Sequence, residues 1–590
     1  MLCCGGGNKG GVRVAGATET AELRGNGTAG GGNGRKSSIT STSSAILDDI
    51  HQTAENVQRS TQGGGSQTGI TKNVTAVMAR AHEKHIKLED EYDLDKSVVL
   101  GTGFCGSVVL GKNKVTGQRV AVKSLRKDDY GDGDETPEEV ATRVRGECEI
   151  YLNADHPNIV RLRDMYETPE VIYLVCDCCT GGEMYDRLMS RGQYTEAGAA
   201  GATKGMLLAV SYIHNTMKIV HRDLKLQNWL YPSAQSADDE VKLIDFGFSK
   251  VLENKKTVAV TAGTVEYLAP ELLHHQSAVE NTGDMWALGV IVFMLLGGYP
   301  PFSGKNNNEI IAAIRKHEIK WFRSRFEKVS VEAKSLVLGL LEADPSKRLT
   351  ARQAIKHPWI AKLDQAESGL DEHQLNGDVL NALANFQKKT AFEKATAMIM
   401  AQCLGRSEVA ALEKMFVKLD VSHEGTVELH ELKQALAQMG DGATDIDDKK
   451  LSQIFDDLDY NHDHHIYFSD FLTAVVSCKI DQGSDKLIKA TFDRFDVDNS
   501  GEISIQNLSS LFGSEFRNVP ITELMKEVDT NGDEMISFEE FKTFIKERGK
   551  VKQTDMGTAN QNAITTPKDE KPMAIEDLMA IGSELDIVVK

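Results

Sequence analysis

The run His221-Arg222-Asp223-Leu224-Lys225-Leu226-Gln227-Asn228 constrains this chain more than any other stretch, because it puts a carboxylate, an ammonium and an amide on one tight loop. Asp245-Phe246-Gly247 follows the short apolar strand Val241-Lys242-Leu243-Ile244. Phosphoryl transfer needs each of those types. Asp223 can accept the proton of an attacking hydroxyl, Lys225 can steady the transferring phosphoryl group, and Asn228 with Asp245 supplies hard oxygen ligands for Mg²⁺. The transition state is loose, so positioning and charge neutralisation carry most of the rate.

Upstream, Leu100 leads into a glycine-rich turn, Gly101-Thr102-Gly103-Phe104-Cys105-Gly106-Ser107-Val108, and Val120-Ala121-Val122-Lys123 then alternates like a strand. A lone GxGxxG is as readily a dinucleotide fingerprint, but that reading requires a strand before the turn, a helix opening from it and an acidic residue about 20 positions on. Here Val108, Val109 and Leu110 follow the glycines as a strand, which suits a flap over ATP phosphates. Glu147 lies in a stretch, 138–152, that reads as a helix, and is the expected holder of the Lys123 ammonium. Taken alone, that pair is equally a surface salt bridge.

Ala269-Pro270-Glu271 closes the segment, and Asp284-Met285-Trp286-Ala287-Leu288-Gly289 with Arg348 reads as the scaffold of a helical lobe. With these in order, residues from about Tyr92 to Ile360 resemble a protein kinase; Arg348-Leu349-Thr350-Ala351 and His357-Pro358-Trp359 resemble the calcium/calmodulin-regulated group. The alternative within that fold is an inactive scaffold, yet Lys123, Glu147, Asp223, Asn228 and Asp245 are all present. The resemblance implies an ATP site made by Leu100 to Val108, Ala121, Lys123, Cys176 as gatekeeper, the backbone of Asp177 and Cys178, and Glu183. Cys176 would leave room behind the adenine; the plainer view is that it simply packs. Glu183 supports a basic peptide substrate, while Gln227 and Met294 stand where related kinases carry further acids, so the basic preference is expected to be modest. Val260 occupies the usual activation-loop phosphosite, with Thr257, Thr261 and Thr264 nearby, so switching is expected to lie elsewhere.

Elsewhere means the region after Asp420. A calcium loop of about twelve residues needs oxygens at places one, three and five, a glycine at six, a carbonyl at seven and a bidentate carboxylate at twelve. Segments beginning at Asp420, Asp459, Asp496 and Asp529 approach that pattern at intervals of roughly 33 to 39 residues, the scale of a repeated helix–loop–helix unit. One such match also describes an ordinary turn, but four in series do not. The first offers Asp420, Ser422, Glu424, Thr426 and Glu431 around Gly425, and should bind. The second offers Asp459, Asn461, Asp463, His465 and Asp470, with His464 in place of glycine and a short final acid; it is expected to prefer Mg²⁺ or to stay empty. The third offers Asp496, Asp498, Ser500, Glu502 and Asn507 around Gly501, and its neutral end should lower affinity. The fourth offers Asp529, Asn531, Asp533, Met535 and Glu540, with Glu534 at the glycine place at a strain of roughly 1 to 2 kcal/mol that full ligation can offset. Val427, Ile466, Ile503 and Ile536, at the eighth places, should pair as short β-ribbons.

Between these regions, 378–403 carries apolar residues at helical spacing, among them Phe386, Phe392, Met398, Ile399 and Cys403, with Lys388, Lys389 and Lys394. Such a helix suits the apolar groove of a calcium sensor; the alternative is a plain linker. On one chain the effective concentration reaches the mM range, so even a weak contact can switch. Kinase, basic helix and four loops in that order resemble the calcium-dependent protein kinases of plants and protists. That resemblance implies a two-lobed α+β kinase followed by an all-α EF-hand domain, with release of an autoinhibited cleft on calcium loading. The expected boundaries are an N-terminal extension at 1–92, the catalytic domain at 93–360, a junction at 361–408, EF-hands at 409–548 and a tail at 549–590.

A net charge of −20 and no basic face argue against nucleic acid as a partner. The nine cysteines lack metal or disulfide spacing, which suits a reducing cytoplasm, and no run approaches the ~20 apolar residues of a membrane span. Both ends are expected to be disordered, save a helical stretch near 77–88 and a short apolar end at 575–589. Leu2 follows Met1, so the glycine for myristoylation is absent. Cys3 and Cys4 could take palmitate and give peripheral membrane contact, but a weak anchor needs a second signal. The chain is expected to act as a monomer.

Overall fold

Strand alternation sets the first layer. In a computed structural model, β1 (Tyr92–Gly103), β2 (Gly106–Asn113), β3 (Arg119–Arg126), β4 (Leu162–Glu167) and β5 (Val171–Asp177) make one antiparallel sheet in the order β1-β2-β3-β5-β4. Val120 and Val122 of β3 face an outer cluster with Tyr92, Tyr166 and Val175. The intervening Ala121 and Lys123 therefore face the other way, toward the cleft. The register sets Ala121 opposite Cys176 and Lys123 opposite both Val108 and Leu174.

The structure describes residues 87–103, 106–127, 137–247, 249–251, 265–273, 281–367, 379, 382–437 and 448–555. Cys3, Cys4, the stretch 77–86, Phe104, Cys105, Thr257, Val260, Thr261, Thr264 and 556–590 lie outside them. Among the described residues no helix is long and apolar enough to cross a membrane.

α1 (Pro137–Asn153) packs Val144, Cys148 and Tyr151 into the main core beneath the sheet. The helical lobe surrounds α2 (Glu196–Asn215) and α3 (Thr282–Gly297), most of whose residues are buried. Thr195 caps α2 by accepting the Gly198 N–H at 3.1 Å. α3 ends at Gly298, φ +77°, where an added Cβ would meet the Gly192 carbonyl oxygen at 2.0 Å, so only glycine fits. Arg348 locks the segment end by a bidentate pair with Glu271 at 2.6 and 2.9 Å while lying over the Trp286 ring.

The second half is helical. α4 (Ala391–Cys403) precedes the helix–loop–helix units formed by α5 (Arg406–Leu419), α6 (Leu429–Ala437), α7 (Asp448–Leu458), α8 (Phe468–Ser477), α9 (Asp485–Phe495), α10 (Ile505–Phe512), α11 (Ile521–Lys526) and α12 (Phe538–Asp555). The eighth-place residues do pair. Val427 and Ile466 exchange two 2.9 Å backbone bonds, and Ile503 lies opposite Ile536 in a short ribbon. One difference from the sequence reading concerns the junction, which is not a single helix: a turn over 382–386 is followed by a break, and α4 restarts after Thr390. The cause is a capping box, with Glu393 accepting the Thr390 N–H at 2.9 Å and Thr390 accepting the Glu393 N–H at 3.3 Å.

α4 is buried in the sensor. Phe392, fully buried, stacks on Phe495 at 5.8 Å and meets the edges of Phe541 and Phe544 at 6.2 and 5.3 Å. Its last carbonyls, which no helical N–H can reach, are held by the catalytic region. Arg161 donates to Ala401 at 2.8 Å, Arg163 to Gln402 and Leu404 at 2.7 Å each, and Gln118 to Cys403 at 3.2 Å. The sensor thus rests on β4 behind the hinge, with further ties between Arg494 and Asp164 at 2.8 Å and between Lys242 and Glu413 at 2.6 Å.

Candidate active site and calcium loops

Three chain segments converge on Lys123. Its ammonium lies 2.8 Å from Glu147 on α1 and 2.8 Å from Asp245. Glu147 is buried, so the pair is a fixed internal contact and not the surface bridge that sequence alone allowed. Burial would raise the Asp245 carboxyl, but the Lys123 ammonium outweighs it and holds the group below its ordinary value. Asp245 has φ +66°, an uncommon conformation for a non-glycine residue. The Tyr151 hydroxyl fixes it there by accepting its N–H at 3.1 Å, and Phe246 packs edge-on against the same Tyr151 ring at 5.2 Å. Tyr151 has no short motif around it, and the sequence reading missed it.

The polar loop is held from below by Asp284. This buried carboxylate accepts the backbone N–H of His221 and of Arg222, each at 2.8 Å, and pairs with His214 at 2.8 Å. Asp223 then meets Lys225 at 2.6 Å, and Asn228 donates to the Asp223 carbonyl at 2.7 Å. The Asn228 carbonyl accepts the Ile244 N–H at 3.0 Å, which ties the loop to the strand before Asp245. One wall thus gathers a carboxylate, two ammoniums and the oxygen donors Asn228 and Asp245.

At the hinge, Cys176 is buried opposite Ala121, and burial pushes its thiol up to about 12. The Asp177 side chain turns away to Arg163 at 2.6 Å, and its N–H is engaged by the Arg161 carbonyl at 3.0 Å. Neither the side chain nor the N–H of Asp177 is therefore free, and the residue stands opposite Val120 at the end of β5. Glu183 bridges to Leu230, and burial first, then Asp186, raises its carboxyl. The glycine-rich hairpin pairs Gly103 with Gly106; a Cβ on Gly106 would collide with the Ser124 carbonyl.

The four loops share one backbone. The sixth-place N–H donates to the first-place carboxylate in each: Gly425 to Asp420 at 2.7 Å, His464 to Asp459 at 2.8 Å, Gly501 to Asp496 at 2.8 Å and Glu534 to Asp529 at 3.0 Å. All four sixth-place residues have positive φ, +80°, +67°, +91° and +63° in that order, so His464 and Glu534 bear the strain that glycine avoids. The twelfth places divide by length. Glu431 reaches back to the Ser422 N–H at 2.5 Å and Glu540 to the Thr530 N–H at 3.0 Å, spanning their loops. Asp470 accepts the nearby Tyr467 N–H and Asn507 the nearby Ser504 N–H, and Asn507 also meets the Asp498 carboxylate across its loop.

These residues fit a hard divalent cation. In the first loop Asp420 and Glu431 are both buried, and no salt bridge reaches either among the described residues. Burial pushes the Asp420 carboxyl up to about 7, and the neighbouring Glu431 charge adds to the rise. Among the described residues no three acidic, His or Cys side chains converge on one point. The Asp420 and Glu431 oxygens accept loop N–H groups, from Gly425 and Ser422.

Comparison with known proteins agrees with both halves. The protein kinase domain family matches residues 94–360, and the EF-hand domain pair matches 409–476 and 485–546. The chain is 33% identical over 458 residues to calcium-dependent protein kinase 4 of Plasmodium falciparum, covering 76% of this chain and 85% of that one. It is 33% identical over 461 residues to calcium-dependent protein kinase 7 of Arabidopsis thaliana, covering 77% and 83%. A two-lobed kinase fold, an intact phosphoryl-transfer wall and paired EF-hands therefore agree with ancestry: this chain is a protein serine/threonine kinase and belongs to the calcium-dependent protein kinase family.

Proposed function

We propose that this enzyme transfers the ATP γ-phosphate to Ser or Thr of modestly basic protein substrates, and that calcium releases it by drawing the junction helix into the sensor. In this reading the catalytic unit is 93–360, the junction 361–408 and the sensor 409–548. Asp223 accepts the substrate hydroxyl proton, Lys225 steadies the moving phosphoryl group, and Lys123, held by Glu147, binds the phosphates. Asn228 and Asp245 would hold Mg²⁺, which would supply positive charge to neutralise what develops on the phosphates. The Asp177 carbonyl and the hinge beyond it read the adenine. The carrying observation is where α4 lies: Phe392 is enclosed by Phe495, Phe541 and Phe544, while Lys123, Glu147 and Asp245 are already assembled. A filled groove together with a competent cleft is the arrangement a released enzyme requires.

The test is initial-rate transfer from MgATP to a basic Ser peptide, with calcium buffered from nanomolar to tens of micromolar and Asp245→Ala as blank. A steep rise across that range is expected. A flat active rate would return calcium to a structural role, and no rate above the blank would leave only a scaffold. The fourth loop should matter through the reach of Glu540, whose hydrogen bonds from Ser537 and Thr530 outweigh burial and bring its carboxyl down to about 2. Glu540→Asp is expected to weaken one calcium-binding step by at least about tenfold, the scale on which metal sites respond to lost support. Calorimetric titration reads it, and an unchanged isotherm would refute the importance of that reach.

A further inference from the structure

We infer that the catalytic lobe is part of the first calcium loop: Thr216 is a positioning residue that, with the rings of Tyr212 and His156, holds the loop backbone in its ligand-bearing conformation. Calcium binding there and docking of the sensor then favour one another. This rests on the reading above that the loops take calcium.

The geometry centres on one peptide plane, Glu424 to Gly425. Its N–H is fixed from inside the loop, donating from Gly425 to Asp420 at 2.7 Å. Its carbonyl is fixed from outside, accepting the Thr216 hydroxyl at 2.7 Å from the end of α2. Gly425 also lies so close to the kinase surface that an added Cβ would meet Tyr212 at 2.5 Å and His156 at 2.7 Å, two rings stacked at 5.2 Å. The third loop makes the same turn with Gly501, yet an added Cβ there would meet nothing within 4 Å. One loop is therefore braced by the catalytic lobe and the other supports itself. The brace extends to the paired loop, where the Ser469 N–H donates to Asp155 at 2.9 Å.

The Glu424 carbonyl belongs to the fifth place, whereas the seventh place supplies the main-chain ligand. Thr216 thus fixes the loop without competing for the ion. A loop already held in its binding geometry loses less freedom on binding. By thermodynamic reciprocity, calcium in that loop strengthens docking by the factor by which docking strengthens calcium.

The clean variant is Thr216→Val, which keeps the shape and removes the hydroxyl; Thr216→Ser restores it. Arg352→Gln is less clean, because Arg352 pairs with the Glu424 carboxylate and its loss also removes a positive charge facing a cation site. Calorimetric calcium titrations of the full chain should show one step weakened about two- to tenfold in Thr216→Val, the worth of one neutral hydrogen bond. Thr216→Ser should match wild type, and Thr216→Val should have no further effect once Glu431→Gln has disabled the first loop. A Thr216→Val isotherm that superposes on wild type overturns the inference, as does a shift that persists beside Glu431→Gln. Absence of any calcium uptake by wild type would instead overturn the calcium reading itself, and this with it.

Discussion

Asp223→Asn is expected to lower kcat by about 10²- to 10⁴-fold, the range for loss of a positioned general base, with KM for ATP nearly unchanged. The substitution keeps the shape of the side chain. It removes the proton acceptor and the charge that faces Lys225 at 2.6 Å. The backbone carbonyl that receives Asn228 at 2.7 Å remains, so the loop should keep its course. In the proposed reading nucleotide binding draws on Lys123, Glu147 and Asp245, whose mutual ion pairs do not involve the Asp223 side chain. Steady-state kinetics in both substrates, beside a melting curve to establish folding, makes the measurement. A folded variant within tenfold of wild-type kcat would remove Asp223 from the role of base.

Phe392→Ala should separate calcium binding from activation. Truncating a fully buried Phe costs about 3–5 kcal/mol, and this ring is shared among Phe495, Phe541 and Phe544. Coupling between sites in regulated proteins is typically 1–3 kcal/mol. The loss therefore exceeds what a switch of ordinary strength can spare, and the calcium-stimulated rate is expected to fall to the chelated level. Calcium should still bind at Asp529 to Glu540, because that loop closes on its own hydrogen bonds. Rate against free calcium, paired with a binding isotherm, reads both. A full calcium response from a destabilised Phe392→Ala protein would reduce α4 to a spacer.

The parts of this enzyme that act at short range were legible in its sequence. Asp223, Lys225 and Asn228 sit on one loop, and each calcium loop packs its oxygens into a dozen residues, so spacing alone carries their chemistry. Glu147 was legible as a helix carboxylate suited to Lys123, but with 24 positions between them the sequence left a surface bridge equally open. The break before α4 was open to reading, since Thr390 and Glu393 spell a capping box, but the apolar periodicity running through it concealed the stop. What the sequence could not disclose lies between domains. Arg161 and Arg163 belong to no short motif, and their partners stand about 240 positions away. Asp177 was placed at the adenine through its backbone alone, and the bonds of its side chain to Arg163 and of its N–H to Arg161 could not be read from the hinge pattern.

The shared ending of α4 bears on how such enzymes can be recombined. Four successive carbonyls, from Ala401 to Leu404, find their donors on a different domain. Each one left unsatisfied on burial costs about 1–3 kcal/mol. A sensor grafted onto another kinase would therefore not behave as a free cassette. It would need a host with guanidiniums at the places of Arg161 and Arg163 and an amide at the place of Gln118, which makes compatibility a property of three side chains far from any calcium loop.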